Sequence, residues 1–258
     1  MTDSPPRTDT EQPLIAHLLE LRARLVRIIY GVGLCFLPLA YYAKEIYSLM
    51  ARPLMRLLPP GSSMIAVEVA APFIAPMKLA GVLAVIVAMP WVLYQVWAFV
   101  APGLYKSERR FVGPLLFSST LLFYAGIAFA YFLVLPNVFN FLVHISPTGV
   151  AVMTDINKYL DFVLTIFLAF GLAFETPVAI VLLVRTGFIT PTQLAARRDY
   201  VLVGIFVVAA VLTPPDVLSQ ILLAVPAYLL YELGIVVARW TVPGSREVEA
   251  QQQENKSV

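Results

Sequence analysis

The sequence is poor in the residues that reactive centres are built from. It has one cysteine, Cys35, and two histidines, His17 and His144, among 258 residues. A single thiol excludes an internal disulfide and any CxxC centre. Charged residues make up only 13% of the chain and hydrophobic ones 60%, with a mean hydropathy of +0.82. A soluble domain of this length cannot bury so much apolar surface, so lipid has to be part of its solvent. No HExxH, GxSxG, P-loop or GxGxxG motif occurs. The two histidines fall on opposite sides of the topology derived below, so they cannot share a metal or a triad. Ser118 and Ser119 lie in an apolar run with no His or Lys beside them, which argues against an intramembrane serine hydrolase. The expectation is a protein without cofactor or metal, without enzymatic activity and without a nucleic-acid partner.

What the chain does have is long apolar runs. Six read as membrane helices: Ile28–Ala43, Leu79–Ala101, Phe111–Pro136, Phe162–Val184, Tyr200–Leu212 and Val217–Ala238. The first is completed by Arg27 and Lys44 snorkelling from its ends. The fifth reaches only ~20 Å against ~30 Å of hydrocarbon. It either crosses a thinned bilayer or forms a re-entrant hairpin with the sixth, and both readings return the chain to the side it left. Residues 1–13 and 241–258 are polar tails, and residues 14–240 form one membrane domain. No cleavable signal peptide is expected, and the first apolar run would act as a retained signal.

Between the runs, PLIAHLLELRARLVRII (13–29) reads as an amphipathic helix on the membrane surface. It has Leu14, Leu18, Leu21 and Leu25 on one face and His17, Glu20, Arg24 and Arg27 on another. Glu45–Lys78 reads as an outer segment with a short interfacial helix begun at Pro53, and IAVEVAAPFIAP is either extended or helical. Asn137–Asp161 is a second outer segment. TPTQL marks a helix start in an inner segment, Arg185–Asp199. Thirteen of the eighteen Lys and Arg residues fall on the side of the termini, which the positive-inside bias makes cytoplasmic. The expected architecture is all-α, with six transmembrane helices and both termini in the cytoplasm.

Chemistry is expected at carboxylates in costly places. Glu175 lies inside the fourth run, where a charge costs ~3 kcal/mol or more. It serves either an internal hydrogen bond, a partner's transmembrane helix or a proton site. Glu20 has Arg24 at i+4, which fits an exposed helix pair. It stands equally well as an anionic docking group. Glu108, in the basic linker FVAPGLYKSERR (99–110), follows Ser107 at a helix start and suits either a helix dipole or a cationic partner. Asp216, after Pro214 and Pro215, reads as the start of the last helix. Glu232 would snorkel or pair with Arg239.

Five segments carry a family resemblance: HLLELRARL, AVEVAAPF, YQVWAFVAPGLYKSERR, FGLAFETPVAI and YVLVGIFVVAAVLTPPD. In that order they closely resemble the TatC family, the largest core subunit of the twin-arginine protein translocase. The likeness runs from about Pro13 to Trp240 and omits only the tails. It implies a cup of six tilted helices, shorter in the fifth and sixth, in the bacterial cytoplasmic membrane. It implies export of folded proteins driven by the proton-motive force, with TatB and TatA as partners and homo-oligomers within a TatBC complex. The family's carboxylates for twin-arginine signal peptides match Glu20 and Glu108, and carboxylates do accept guanidinium forks bidentately. Arg22, Pro53, Phe99, Glu175 and Asp216 match further positions tied to function. Among these, Glu175 matches the polar spot where TatA and TatB helices compete, and Pro53 would shape the outer cap. A competing reading is a proton-coupled small-molecule transporter using Glu175. That would want repeat-related halves with broken helices meeting at midplane.

Overall fold

A computed structural model of the chain describes residues 11–57, 64–100, 112–144, 154–212 and 217–241. The described elements are α1 (Glu11–Tyr41), α2 (Ala43–Leu57), α3 (Ala71–Val87), α4 (Met89–Val100), α5 (Val112–Phe129), a π-helical turn (Ala130–Val134), α6 (Leu135–His144), α7 (Ile156–Phe174), α8 (Thr176–Arg185), α9 (Pro191–Ala196), α10 (Arg198–Leu212) and α11 (Val217–Thr241). Among the described residues the only β pairing is an isolated bridge between Ile65 and Asp155.

Four stretches are individually long and apolar enough to cross a membrane: His17–Tyr41, Gly113–Phe141, Ile156–Arg185 and Gln220–Thr241. A fifth forms when α3 and α4 are taken together across a 50° bend. The sixth leg, α10, has 15 residues and reaches only about 22 Å. The chain is therefore the expected all-α, multi-pass membrane fold.

Helix ends differ from the hydropathy boundaries. α1 is one uninterrupted rod of 31 residues, where a surface helix followed by a separate span was expected. Between Pro13, in the first turn where no intrahelical donor is needed, and Pro38 no proline interrupts the ladder, so the polar stripe and the apolar run share one axis. α2 begins at Ala43, so Pro53 lies within a helix and does not start it. The ambiguous segment resolves into non-helical chain up to Ala70 and helix from Ala71. Hydropathy marks where lipid stops, whereas a helix continues until a cap or a proline ends it.

α1 is sided in reverse of a soluble helix. Its leucines, among them Leu18, Leu21 and Leu25, are exposed, as are Ile29, Leu34 and Leu37. The stripe with His17 and Arg24 packs on α4. In lipid the apolar face needs no protein cover, while polar groups need partners.

Prolines set the breaks. Pro90 cannot donate to the Ile86 carbonyl one turn earlier. That carbonyl accepts instead from the Tyr124 hydroxyl at 3.1 Å, which ties the α3–α4 bend to α5. A π turn precedes Pro136, with the Leu135 amide reaching back to the Ala130 carbonyl. Pro177 follows the break between α7 and α8 at Glu175.

The central crossing is α5 on α7. A Cβ on Gly126 would stand 2.5 Å from the Phe170 carbonyl oxygen, and one on Gly171 would stand 2.6 Å from the Phe123 ring. Small residues here let two backbones approach closely, the usual basis of helix packing in lipid. Phe123 and Phe170 are fully buried in the main core.

At the end of the molecule away from the start of α1, Asp155 caps α7. Its Oδ1 accepts from the amides of Asn157 at 2.9 Å and Lys158 at 3.0 Å, and its Oδ2 from Val67 at 3.1 Å. Tyr159 donates to the Met50 carbonyl at 2.9 Å, and Lys78 pairs with Asp161 at 2.6 Å. These bonds stitch α2, the 64–70 segment, α3 and α7 into a cap.

Gly126→Ala should lower thermal stability in detergent by about 1–3 kcal/mol, because a backbone carbonyl cannot step aside as a side chain can. The amide of Lys158, ahead of those of Val67 and Asn157, holds the Asp155 carboxyl below its usual range. Its folded pKa is thus lower than its unfolded one. The stability it contributes is complete above the unfolded value of ~3.9 and is lost as pH falls through the folded value. Hydrogen exchange at residues 67, 157 and 158, corrected for intrinsic rates, should accelerate below about pH 4, and Asp155→Asn should reduce that pH dependence.

Candidate functional site

α1 and α4 run antiparallel, and three contacts register them. The Trp91 indole donates to the Arg27 carbonyl at 3.0 Å. One Arg24 nitrogen lies 3.5 Å from the Gln95 side-chain oxygen. The His17 ring stacks on Phe99 with centroids 4.3 Å apart. The first contact needs Gly31, since a Cβ there would come within 2.5 Å of the Trp91 ring. Phe99 thus braces α1 beside Glu20.

Glu20 sits on this ladder with its side chain 37% exposed, and Arg24 is 17% exposed. Arg24 Nε and Nη2 both donate to Glu20 Oε1, at 3.0 and 2.5 Å. Glu20 Oε2 has no hydrogen-bond partner among the described residues. The i+4 pair expected from the sequence is therefore present, with half of the carboxylate left open. Arg22 is exposed and has no ion-pair partner among the described residues. Glu108 and Asp216 lie outside the described residues, as does the side chain of Pro53.

Glu175 forms a second polar centre, remote in sequence. It occupies the break between α7 and α8, and its Oε2 accepts a short hydrogen bond from Ser119 on α5. Its Oε1 is buried without a partner among the described residues. Ser119 is 1% exposed. An apolar cavity of about 550 Å³ borders the same break at Ala173 and Thr176, with Gly204, Val208 and Leu223 on its other walls.

A third cluster closes the lower end of α10 and α11. Arg198 forks onto Glu232, with Nε to Oε1 at 2.6 Å and Nη2 to Oε2 at 2.7 Å. Tyr228 adds a bond to Glu232 Oε1 at 3.1 Å, and Tyr231 donates to the Leu194 carbonyl at 2.8 Å. Glu232 thus forks with Arg198 on another element, a partner that neither sequence reading, snorkelling or a pair with Arg239, had named. α9 begins with a capping box at Thr190 and Gln193, as TPTQL predicted.

Sequence reasoning missed Gln95 and the Arg198–Glu232 fork, and it weighed Ser119 only as a nucleophile, not as the partner of Glu175. Gln95 and Ser119 are the two polar residues found buried among the described residues. Gln95 was visible as a lone polar position in an apolar run, and Ser119 as the middle of the polar triplet Ser118, Ser119 and Thr120. Their partners, though, are 71 and 56 residues away. Among the described residues no three of His, Cys, Asp and Glu are grouped to hold a metal ion.

These features define a polytopic helical membrane protein. The family model described as Sec-independent protein translocase protein (TatC) matches residues 16–226. The chain is 56% identical to the Sec-independent protein translocase protein TatC of Azotobacter chroococcum, over 89% of this chain and 90% of that one. It is 55% identical to the protein of that name from Escherichia coli K12, over 92% of each. A crystal structure of the twin arginine translocase receptor TatC superposes with a TM-score of 0.78 at 38% identity, covering 87% of this chain and 98% of the other. The chain belongs to the TatC family.

Ser119→Ala should lower thermal stability by about 1–3 kcal/mol, because it strips a buried carboxyl of its donor. In a double-mutant cycle with Glu175→Ala the losses should be strongly non-additive. Additive losses would mean that the two side chains do not act as a pair.

Proposed function

We propose that this protein is the receptor and core subunit of a twin-arginine translocase. Glu20 and Glu108 capture the paired arginines of a signal peptide, and TatB and TatA join to carry folded cargo across the bacterial cytoplasmic membrane on the proton-motive force. The observation that carries this reading is the Glu20 carboxylate: held by Arg24, which itself reaches Gln95 on α4, partly exposed, and open at one oxygen. A guanidinium is always charged and presents a fork that a carboxylate accepts, so an arginine tag is the chemistry such a group recognises. α4 ends beside His17, and the linker with Glu108 follows it directly in sequence. The membership of the family, and the receptor named in the superposed structure, support the same reading. Docking is non-covalent, and no catalytic step is required.

The termini and this site face the cytoplasm, in keeping with the clustering of bases on that side. Glu175 and Ser119 supply the polar spot for a partner's transmembrane helix, and the bordering cavity gives apolar side chains of that helix room to pack. Arg22 and Phe99 support the docking face. Pro53 shapes the outer cap, and Asp216 precedes α11 in sequence.

Photocross-linking to this protein from a reactive group placed beside the paired arginines of a twin-arginine signal peptide should give a product that a twin-lysine peptide does not. Glu20→Gln and Glu108→Lys should each abolish it, while Glu175→Gln should leave it intact. Full yield from the Glu20→Gln, Glu108→Lys double variant would remove the docking role. Raising salt from 0.05 to 0.5 M should weaken the peptide, as expected of a solvent-accessible charge pair.

A further inference from the structure

We propose that Arg24 is an internal stand-in for the signal peptide's arginine. It holds Glu20 in the peptide-free protein, moves onto Gln95 when a peptide guanidinium arrives, and thereby sets how tightly the peptide docks. This rests on Glu20 being a docking carboxylate.

Two arginine–carboxylate pairs in the same chain show the difference between a closed pair and an exchangeable one. Arg198 spans both oxygens of Glu232, and Tyr228 adds a third donor. That carboxylate has no room for another guanidinium. Arg24 instead aims two nitrogens at one oxygen of Glu20 and leaves the other without a partner among the described residues. An arriving arginine can engage Oε2 first, but its full fork needs both oxygens, and Oε1 is taken. Two guanidinium groups on one carboxylate also repel. Completion of the fork therefore requires Arg24 to leave.

Arg24 has somewhere to go. Its Nη1 already stands 3.5 Å from Gln95 Oε1, at the outer limit of a hydrogen bond. Gln95 is only 2% exposed, so its carbonyl is a sheltered acceptor on a rigid helix. A small rotation of the guanidinium shortens that bond as it releases Glu20. Arg24 keeps an acceptor throughout and is never stranded. The pair it gives up is an i+4 pair of part-exposed side chains, a weak class of contact, so a peptide can displace it. The device keeps the carboxylate oriented and neutralised until the tag arrives, and it makes docking reversible.

The test is the affinity of a fluorescent twin-arginine signal peptide for the full-length protein in nanodiscs, followed by anisotropy, with a twin-lysine peptide as control. Arg24→Gln should tighten binding about three- to fivefold, the scale of an exposed pair removed from competition. Gln95→Leu should weaken binding in the native background and have no effect once Arg24 is Gln. Gln95→Glu, which offers Arg24 a stronger acceptor, should tighten binding and guards against misfolding of the Leu variant. Weakened or unchanged binding in Arg24→Gln overturns the proposal, as does an equal effect of Gln95→Leu in both backgrounds. Unchanged binding in Glu20→Gln would instead remove the docking role on which the proposal stands.

Discussion

A polar group that enters hydrocarbon is costly unless the protein itself supplies a partner, and the main joints of this molecule answer that constraint. It explains why α1 turns its leucines outward and its His17–Arg24 stripe onto α4. The same constraint sends the Tyr124 hydroxyl to the carbonyl that Pro90 frees, and Ser119 to Glu175. In a soluble protein these groups could turn to water. Here each becomes a fixed joint between two helices, so the polar contacts do the positioning that apolar packing does elsewhere.

The joints fall where the helices break. Pro90 and Pro177 each interrupt a span, and a polar side chain from α5 reaches each break. α5 itself crosses α7 closely through Gly126 and Gly171, so the element that reaches both breaks is locked to the core. At the opposite end, Asp155 performs for the cap what these pairs do within the membrane, through backbone amides in place of a charged partner.

The face of α1 that carries Glu20 follows from the same logic with one difference. Glu20 lies near the start of α1, where the side chain still reaches solvent, so its charge need not be cancelled completely. Glu232 lies against α10 and is saturated by Arg198 and Tyr228. The one carboxylate has both oxygens engaged, the other only one. Their formulas are the same, and only the number of oxygens engaged separates them.

The sequence by itself determined the class of the molecule. Its apolar runs and skewed bases follow from the energetics of lipid, which act on each residue largely independently of its neighbours in space. The i+4 pair of Glu20 and Arg24 and the cap at Thr190 were also legible, because such contacts close within one helical turn. Tertiary structure alone decided that α1 is one rod, that α2 starts before Pro53, and that Glu232 pairs with Arg198. It also decided that Gln95 and Ser119 stand behind the two carboxylates of interest. Those contacts join residues on different helices, and their register depends on how closely the Trp91 ring seats on Gly31 and the α7 backbone on Gly126, distances that no local pattern encodes.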